Sequence, residues 1–119
     1  MSSRKTFLMF RKPGPAWLPG VHTREQPLWD EHAAFMDRLD EQNRIVLAGP
    51  YADLSRALVI LEAQDIEEAV ELLRDDPWVS AGILLPADAI EWTIFMDSRR
   101  RDDESDVHAG TTGAAGRRG

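Results

Sequence analysis

Apolar residues in the first part of the chain form one short run and one helical pattern. Lys5–Arg11 is apolar and aromatic, and Pro13–Pro15 ends it, which is typical of a strand followed by a loop. The loop continues to Pro27, and irregular segments of that length are usually functional or mobile. Beyond it, apolar side chains recur at helical spacing and predict a helix over residues 28–42. They are Leu28, His32, Phe35, Met36 and Leu39.

The middle of the chain predicts a β-hairpin. Ile45–Ala48 is an apolar run that predicts a second strand, which we expect Gly49 and Pro50 to end. Ala57–Ala63 is apolar at both alternating positions, so we expect a central strand that is buried on both faces.

A second helix and a last strand are predicted next. Asp65 suits the N-cap of a helix over residues 66–75. Its inward stripe is expected to hold Ile66, Ala69, Val70 and Leu73. A strand from Ile83 to Ile94 should follow, interrupted near Pro86. The order β-α-β-β-α-β is the split βαβ, so we expect an α+β, ferredoxin-like fold with an antiparallel four-stranded sheet and both helices on one face.

The second face of this sheet needs a cover that one chain does not provide. Two helices cover one face, yet Ala57–Ala63 is apolar on both. The simplest cover is the same face of a second copy, related by a two-fold axis. We therefore expect a homodimer.

Composition changes this picture mainly at the C terminus. Hydrophobic residues make up 43% and charged residues 29% of the 119 residues, as in ordinary globular domains. Residues 98–119 hold five arginines, four acidic residues and several glycines but only one valine, so we expect a disordered tail after a domain over residues 1–97. That domain has nine basic and 17 acidic residues, a balance that repels nucleic acid. No nucleic-acid partner is expected.

Several classes of chemistry lack the residues that they need. The chain has no cysteine, which excludes disulfides and thiol nucleophiles. No apolar stretch approaches the roughly 20 residues that span a bilayer, and the N-terminal segment is charged too early for a signal peptide. We therefore expect a cytoplasmic protein without membrane contact. No dinucleotide motif, Walker loop or serine elbow is present, so no cofactor is expected.

Five motifs occur together in an order that resembles one known family. They are H-x2-F-x3-L from His32, RIVLAGP ending at Pro50, ALVILEA over residues 57–63, D-x-E-E-A from Asp65 and D-P-W-V-x-A-G from Asp76. The chain is thereby similar to the YCII-related family over about residues 7–94. This resemblance implies the dimeric α+β barrel, a fold whose superfamily includes isomerases, monooxygenases and a dehydrochlorinase. The long loop and the interrupted last strand depart from shorter family members.

A pair of residues, His32 and Asp76, is the main candidate for catalysis. Spacing places His32 on the apolar face of its helix, where a core histidine with one hydrogen bond is the alternative. The resemblance pairs this histidine with Asp76, and a carboxylate-oriented imidazole is a usable general base. Asp76 before Pro77 also suits helix capping, and the two roles are compatible because a carboxylate has two oxygens.

Other residues are weaker candidates for the pocket. Gly49 and Pro50 would let backbone approach a ligand closely, although a plain turn explains them almost as well. Tyr51 and Trp78 are candidates for aromatic pocket walls, with packing as the alternative for Trp78. His22 and His32 match no metal-ligand spacing, so no metal site is expected.

These residues leave three functional hypotheses open. The first is a small-molecule lyase or isomerase in which His32 transfers a proton on a ring or enolisable substrate and Asp76 orients the imidazole. The second is a binding or sensing domain that uses the same cleft without turnover. The third is a dimeric accessory protein with a vestigial pocket.

Overall fold

The β-strands form from segments in which apolar side chains alternate with polar ones or follow one another directly. A computed structural model of the protein describes residues 4–99. The strands are β1 (Lys5–Pro13), β2 (Ile45–Pro50), β3 (Ala57–Ala63) and β4 (Leu84–Trp92). All neighbouring pairs are antiparallel, in the order β2-β3-β1-β4. The predicted ferredoxin-like, antiparallel four-stranded arrangement is confirmed.

Between Lys5 and Trp92, α-helices and a short 3-10 turn connect the strands. They are α1 (Trp29–Glu41), α2 (Ile66–Arg74), α3 (Pro77–Ser80) and the turn Thr23–Glu25. Asp65 caps α2 as predicted, because its side chain accepts a hydrogen bond from the amide of Glu68. The Glu68 carboxylate in turn accepts from the amide of Gln64.

Both long helices pack on the same face of the sheet. The core between them contains Phe35 and Leu39 from α1 and Ala69 and Leu73 from α2. The strands contribute Phe7, Met9, Val59, Leu61 and Ala63. We call these nine residues the aliphatic core, although two are phenylalanines. Alternate residues of β3 enter this core, which confirms the central strand that the sequence predicted.

Prolines do not end the strands where the sequence predicted an end. β2 continues through Gly49 to Pro50, and β4 continues across Pro86. Both strands lie at sheet edges, where a residue without an amide hydrogen costs no hydrogen bond on its open side. The expected interruption is instead a bulge, since Ala87 and Asp88 of β4 lie opposite one residue of β1.

Two apolar side chains expected to face inward are exposed. Leu28 adopts a left-handed conformation with φ of 62° just before α1 and is 42% exposed. Val70 of α2 is also exposed, because the stripe of a nine-residue helix is filled by Ala69 and Leu73.

The other face of the sheet is apolar, and no helix from residues 4–99 packs on it. Leu47, Ile90 and Trp92 lie there, exposed over 55%, 50% and 43% of their surface. Within residues 4–99, no helix is both long and apolar enough to cross a membrane. Of the predicted tail, residues 100–119 lie outside the described part of the chain, so the tail stays a prediction.

Candidate functional site

Asp76 is held at the start of α3 by its own backbone chemistry. Pro77 occupies the first helical position, where its missing amide hydrogen has no cost. Oδ1 of Asp76 accepts a hydrogen bond of 2.9 Å from the amide of Trp78. This cap fixes the carboxylate in the interior, where Asp76 has no exposed surface.

His32 meets this carboxylate from α1. Its Nδ1 lies 3.0 Å from Oδ1 and 2.9 Å from Oδ2 of Asp76. The imidazole ring stacks on the indole of Trp78, with centroids 3.9 Å apart and planes 5° apart. The structure therefore brings His32 and Asp76 into the expected hydrogen bond, and Asp76 is a helix cap at the same time.

Arg11 is a third member of this cluster that the sequence analysis missed. Its Nη1 donates a 3.0 Å hydrogen bond to Oδ2 of Asp76, and only 2% of the residue is exposed. Its position in β1 could have indicated this, because Phe7, Met9 and Arg11 are alternate residues of the strand and face the helices. An arginine on the inward face of a strand needs a buried partner.

The cluster holds the Asp76 carboxylate in its ionised form. Burial by itself would raise the pKa of Asp76, but this effect is outweighed. The hydrogen bond and charge of His32, the amide of Trp78 and the charge of Arg11 together hold that pKa below its usual value. Burial lowers the pKa of Arg11, and Asp76 opposes the change.

This arrangement assigns different roles to the two nitrogens of His32. A carboxylate only accepts hydrogen bonds, so a neutral imidazole carries its hydrogen on Nδ1 toward Asp76. Nε2 then has a free lone pair, and no residue in the described part of the chain bonds to it. His32 is thus arranged as a proton acceptor.

His32 lies in the wall of a cavity of about 420 Å³. Trp17, Trp29 and Trp78 give the cavity aromatic walls, and Gly49 and Pro50 also line it. Tyr51 does not line it and is 37% exposed, because its backbone turns back to bond with Arg56 in the hairpin. Asp76 lies behind His32.

The long loop closes one side of the cavity. The side-chain amide of Gln26 is buried and bonds to the backbone of Leu18 and Val21, which ties the loop to itself. The indole nitrogen of Trp78 donates a 2.7 Å hydrogen bond to the carbonyl of Pro27. No three His, Cys, Asp or Glu side chains of residues 4–99 are grouped as a metal would require.

Fold and site together define an α+β, ferredoxin-like protein with a carboxylate-bound histidine in an aromatic cavity. The chain belongs to the YCII-related domain family, whose profile matches residues 6–93. It is 37% identical over 51 residues to the uncharacterized protein YjpA of Bacillus subtilis. That match covers 43% of this chain and 60% of the relative's length.

A solved structure shares the fold at lower sequence identity. It is the 5-chloro-2-hydroxyhydroquinone dehydrochlorinase TftG from Burkholderia phenoliruptrix AC1100, in complex with 2,5-dihydroxybenzoquinone. The likeness has a TM-score of 0.50 and 24% identity, and covers 79% of this chain and 97% of the other. At that identity it supports the fold alone.

Proposed function

We propose that this protein is a small-molecule lyase or isomerase that acts by proton transfer. One observation carries the proposal: Asp76 holds Nδ1 of His32, while Nε2 lies at a cavity wall without a hydrogen bond to any of residues 4–99. General bases of this kind need a lone pair that faces the substrate and a second group that orients the ring. His32 and Asp76 have these two roles.

The proposed reaction begins with removal of a proton from an enolisable or ring carbon by Nε2 of His32. In an isomerase the imidazolium returns the proton to another carbon, so nothing is lost. In a lyase the electron pair expels a leaving anion, and proton and anion are released together. The fold neighbour is named as a dehydrochlorinase, which makes chlorinated hydroxyquinols the first substrates to test.

A substrate panel with a histidine variant and a cavity control tests the proposal. Quinols, lactones and chlorinated hydroxyquinols should include a compound whose turnover falls about 10²–10⁴-fold in His32→Gln, the usual contribution of a general base. Met36→Leu is the control, because Met36 lines the same cavity and has no group that transfers a proton. Binding without His32-dependent turnover would favour a non-catalytic binding domain instead.

We also propose that the protein is a homodimer formed through the open face of the sheet. Support comes from the exposed apolar residues Leu47, Ile90 and Trp92 on that face. A second copy supplies a matching apolar face without any other partner. Light scattering should give twice the monomer mass, and Ile90→Glu should shift it toward the monomer. A wild-type monomer at micromolar concentration would contradict the dimer.

A further inference from the structure

Basic residues are concentrated around the cavity of an otherwise acidic domain. Residues 1–97 contain nine basic and 17 acidic residues. Three of the basic residues line the cavity, namely Arg11, Arg24 and Arg56, whereas Asp37 is the one acidic residue in the lining within residues 4–99. Because Asp76 balances Arg11, the other two arginines outnumber Asp37 and leave the cavity electropositive.

Arg24 and Arg56 are available to a ligand. Neither guanidinium has an ion-pair or hydrogen-bond partner within the described residues. The Arg24 guanidinium lies 6.0 Å from the ring centroid of Trp29, and that ring lies 5.6 Å from the ring of His32. A charged group on a bound ring compound could therefore contact Arg24, which is separated from the proposed base His32 by the ring of Trp29.

The segment next to Arg24 offers more hydrogen-bonding capacity. Nδ1 of His22 accepts from the amide of Arg24 at 3.3 Å, so the neutral His22 ring carries its hydrogen on Nε2 as a donor. The Oγ1 atom of Thr23 is buried and has no hydrogen-bond partner. Both residues line the cavity.

Unpartnered buried polar atoms point to the same place. Within residues 4–99, the two buried side-chain polar atoms without hydrogen bonds are Oγ1 of Thr23 and Nη2 of Arg11, and both residues line this cavity. Native proteins rarely leave such atoms unsatisfied, because a buried polar atom without a hydrogen bond destabilises the fold. A polar group bound in the cavity would remove part of that cost.

We propose that Thr23, Arg24 and Arg56 bind an anionic oxygen of the ligand, so that the ligand is a flat ring compound that carries a carboxylate or a similarly acidic oxygen. The aromatic walls contact the ring, and the acidic oxygen lies toward the His22–Arg24 segment. The inference rests on the proposed function only in placing the reacting carbon beside His32.

The test compares two probes that differ mainly in charge, 4-hydroxybenzoate and 4-hydroxybenzamide. Binding is followed by NMR through the indole N–H signals of Trp17, Trp29 and Trp78, with Trp92 on the open sheet face as an internal control. The benzoate should bind about tenfold more tightly than the amide, as expected for charge-assisted hydrogen bonds. Raised salt should reduce this preference.

Arginine variants then show which residues cause the preference for the benzoate over the benzamide. Arg24→Gln and Arg56→Gln should each reduce it about threefold, and the double variant should abolish it. Arg38→Gln is the matched control, because Arg38 is an exposed arginine on α1 outside the cavity lining. Equal binding of both probes by the wild type, no binding of either at millimolar concentration, or a preference that survives the double variant would overturn the proposal.

Thr23→Val separates ligand binding from structure. Removing a hydroxyl without a partner should leave thermal stability unchanged or raised, while the affinity for the benzoate falls. A loss of stability with unchanged affinity would remove Thr23 from the site. His32→Gln should keep the charge preference, so failure of turnover and failure of anion binding are distinguishable.

Discussion

The protein contains two hydrophobic clusters that are built in different ways. The aliphatic core lies between the long helices and the sheet, and its residues follow helical or strand periodicity. The second cluster, which we call the aromatic cluster, consists of Trp78, Ile83 and Leu84 with Trp17 and Trp29 packed against them. It comes mostly from the long loop, the ends of elements and the short helix α3.

The two clusters also differ in what they contain. The aliphatic core holds no buried charge, whereas the aromatic cluster packs on His32, whose carboxylate partner is buried with Arg11. Stability in the first depends on filled volume, and in the second on paired charges and hydrogen bonds. We therefore expect the functional residues to lie at the aromatic cluster, near the ends of helices and strands. The aliphatic core serves mainly to hold these ends in position.

Arg11→Met is expected to have the largest effect on stability. It leaves the buried Asp76 carboxylate without its arginine partner, and removal of one partner from a buried ion pair costs roughly 3–5 kcal/mol. Urea unfolding measures the loss. Arg44→Met breaks the partly exposed pair with Glu68 and should cost about 1 kcal/mol or less. Equal losses of unfolding free energy in the two variants would show that the buried pair of Arg11 and Asp76 stabilises the protein no more than the partly exposed pair does.

Leu61→Ala tests the aliphatic core in the same assay. Leu61 is completely buried, and truncation of such a leucine should cost about 3 kcal/mol. Leu18→Ala, at an exposed leucine of the loop, should cost under about 0.5 kcal/mol. The ring ¹⁵N shifts of His32 should stay unchanged in both. A change in those shifts for Leu61→Ala would mean that the two clusters are coupled.

Periodicity predicted most of the fold but only part of the site. The bounds of β3 and nearly all of α2 follow from apolar spacing, because those elements meet the core along their whole length. Edge-strand prolines were misread, since a strand with one open side tolerates them. Sequence alone does not distinguish an edge strand from a central strand before the sheet topology is known.

The site depends on contacts between residues far apart in sequence, which hydrophobic periodicity does not reveal. His32 and Asp76 are 44 residues apart, and the family resemblance rather than spacing implied their pairing. Arg11 stands at the end of its predicted strand, and spacing does not indicate that it pairs with Asp76, 65 residues away. Tyr51 is predicted as an aromatic pocket wall, yet in the hairpin it lies outside the cavity lining.

Acid should weaken the charge cluster in a defined direction. Since the folded protein lowers the pKa of Asp76, the unfolded chain, with a carboxyl pKa near 3.9, binds more protons in acid. The free energy of unfolding that Asp76 contributes is thus fully present above about pH 5 and is lost as the pH falls through the folded pKa.

Comparison with Asp76→Asn isolates this contribution. Asp53 and Glu68 also have lowered pKa values, Asp53 through its bonds with Ser55 and Glu68 through its bond with the Gln64 amide, but they titrate alike in both proteins. The stability difference between wild type and variant should therefore narrow below about pH 4. A difference that stays constant down to acid unfolding would contradict the ionised carboxylate.

Trp78→Phe tests the smallest of these contributions, the hydrogen bond that attaches the loop to the site. Phenylalanine keeps a ring beside His32 but loses the hydrogen bond from the indole nitrogen to the carbonyl of Pro27. The lost hydrogen bond alone should cost about 1 kcal/mol and loosen the loop, which hydrogen exchange at Leu18 and Val21 would report. Trp17→Phe is the control, because Trp17 contacts Trp78 edge-on without a hydrogen bond from its indole among the described residues. Equal exchange in both variants would mean that packing, rather than this bond, holds the loop over the cavity.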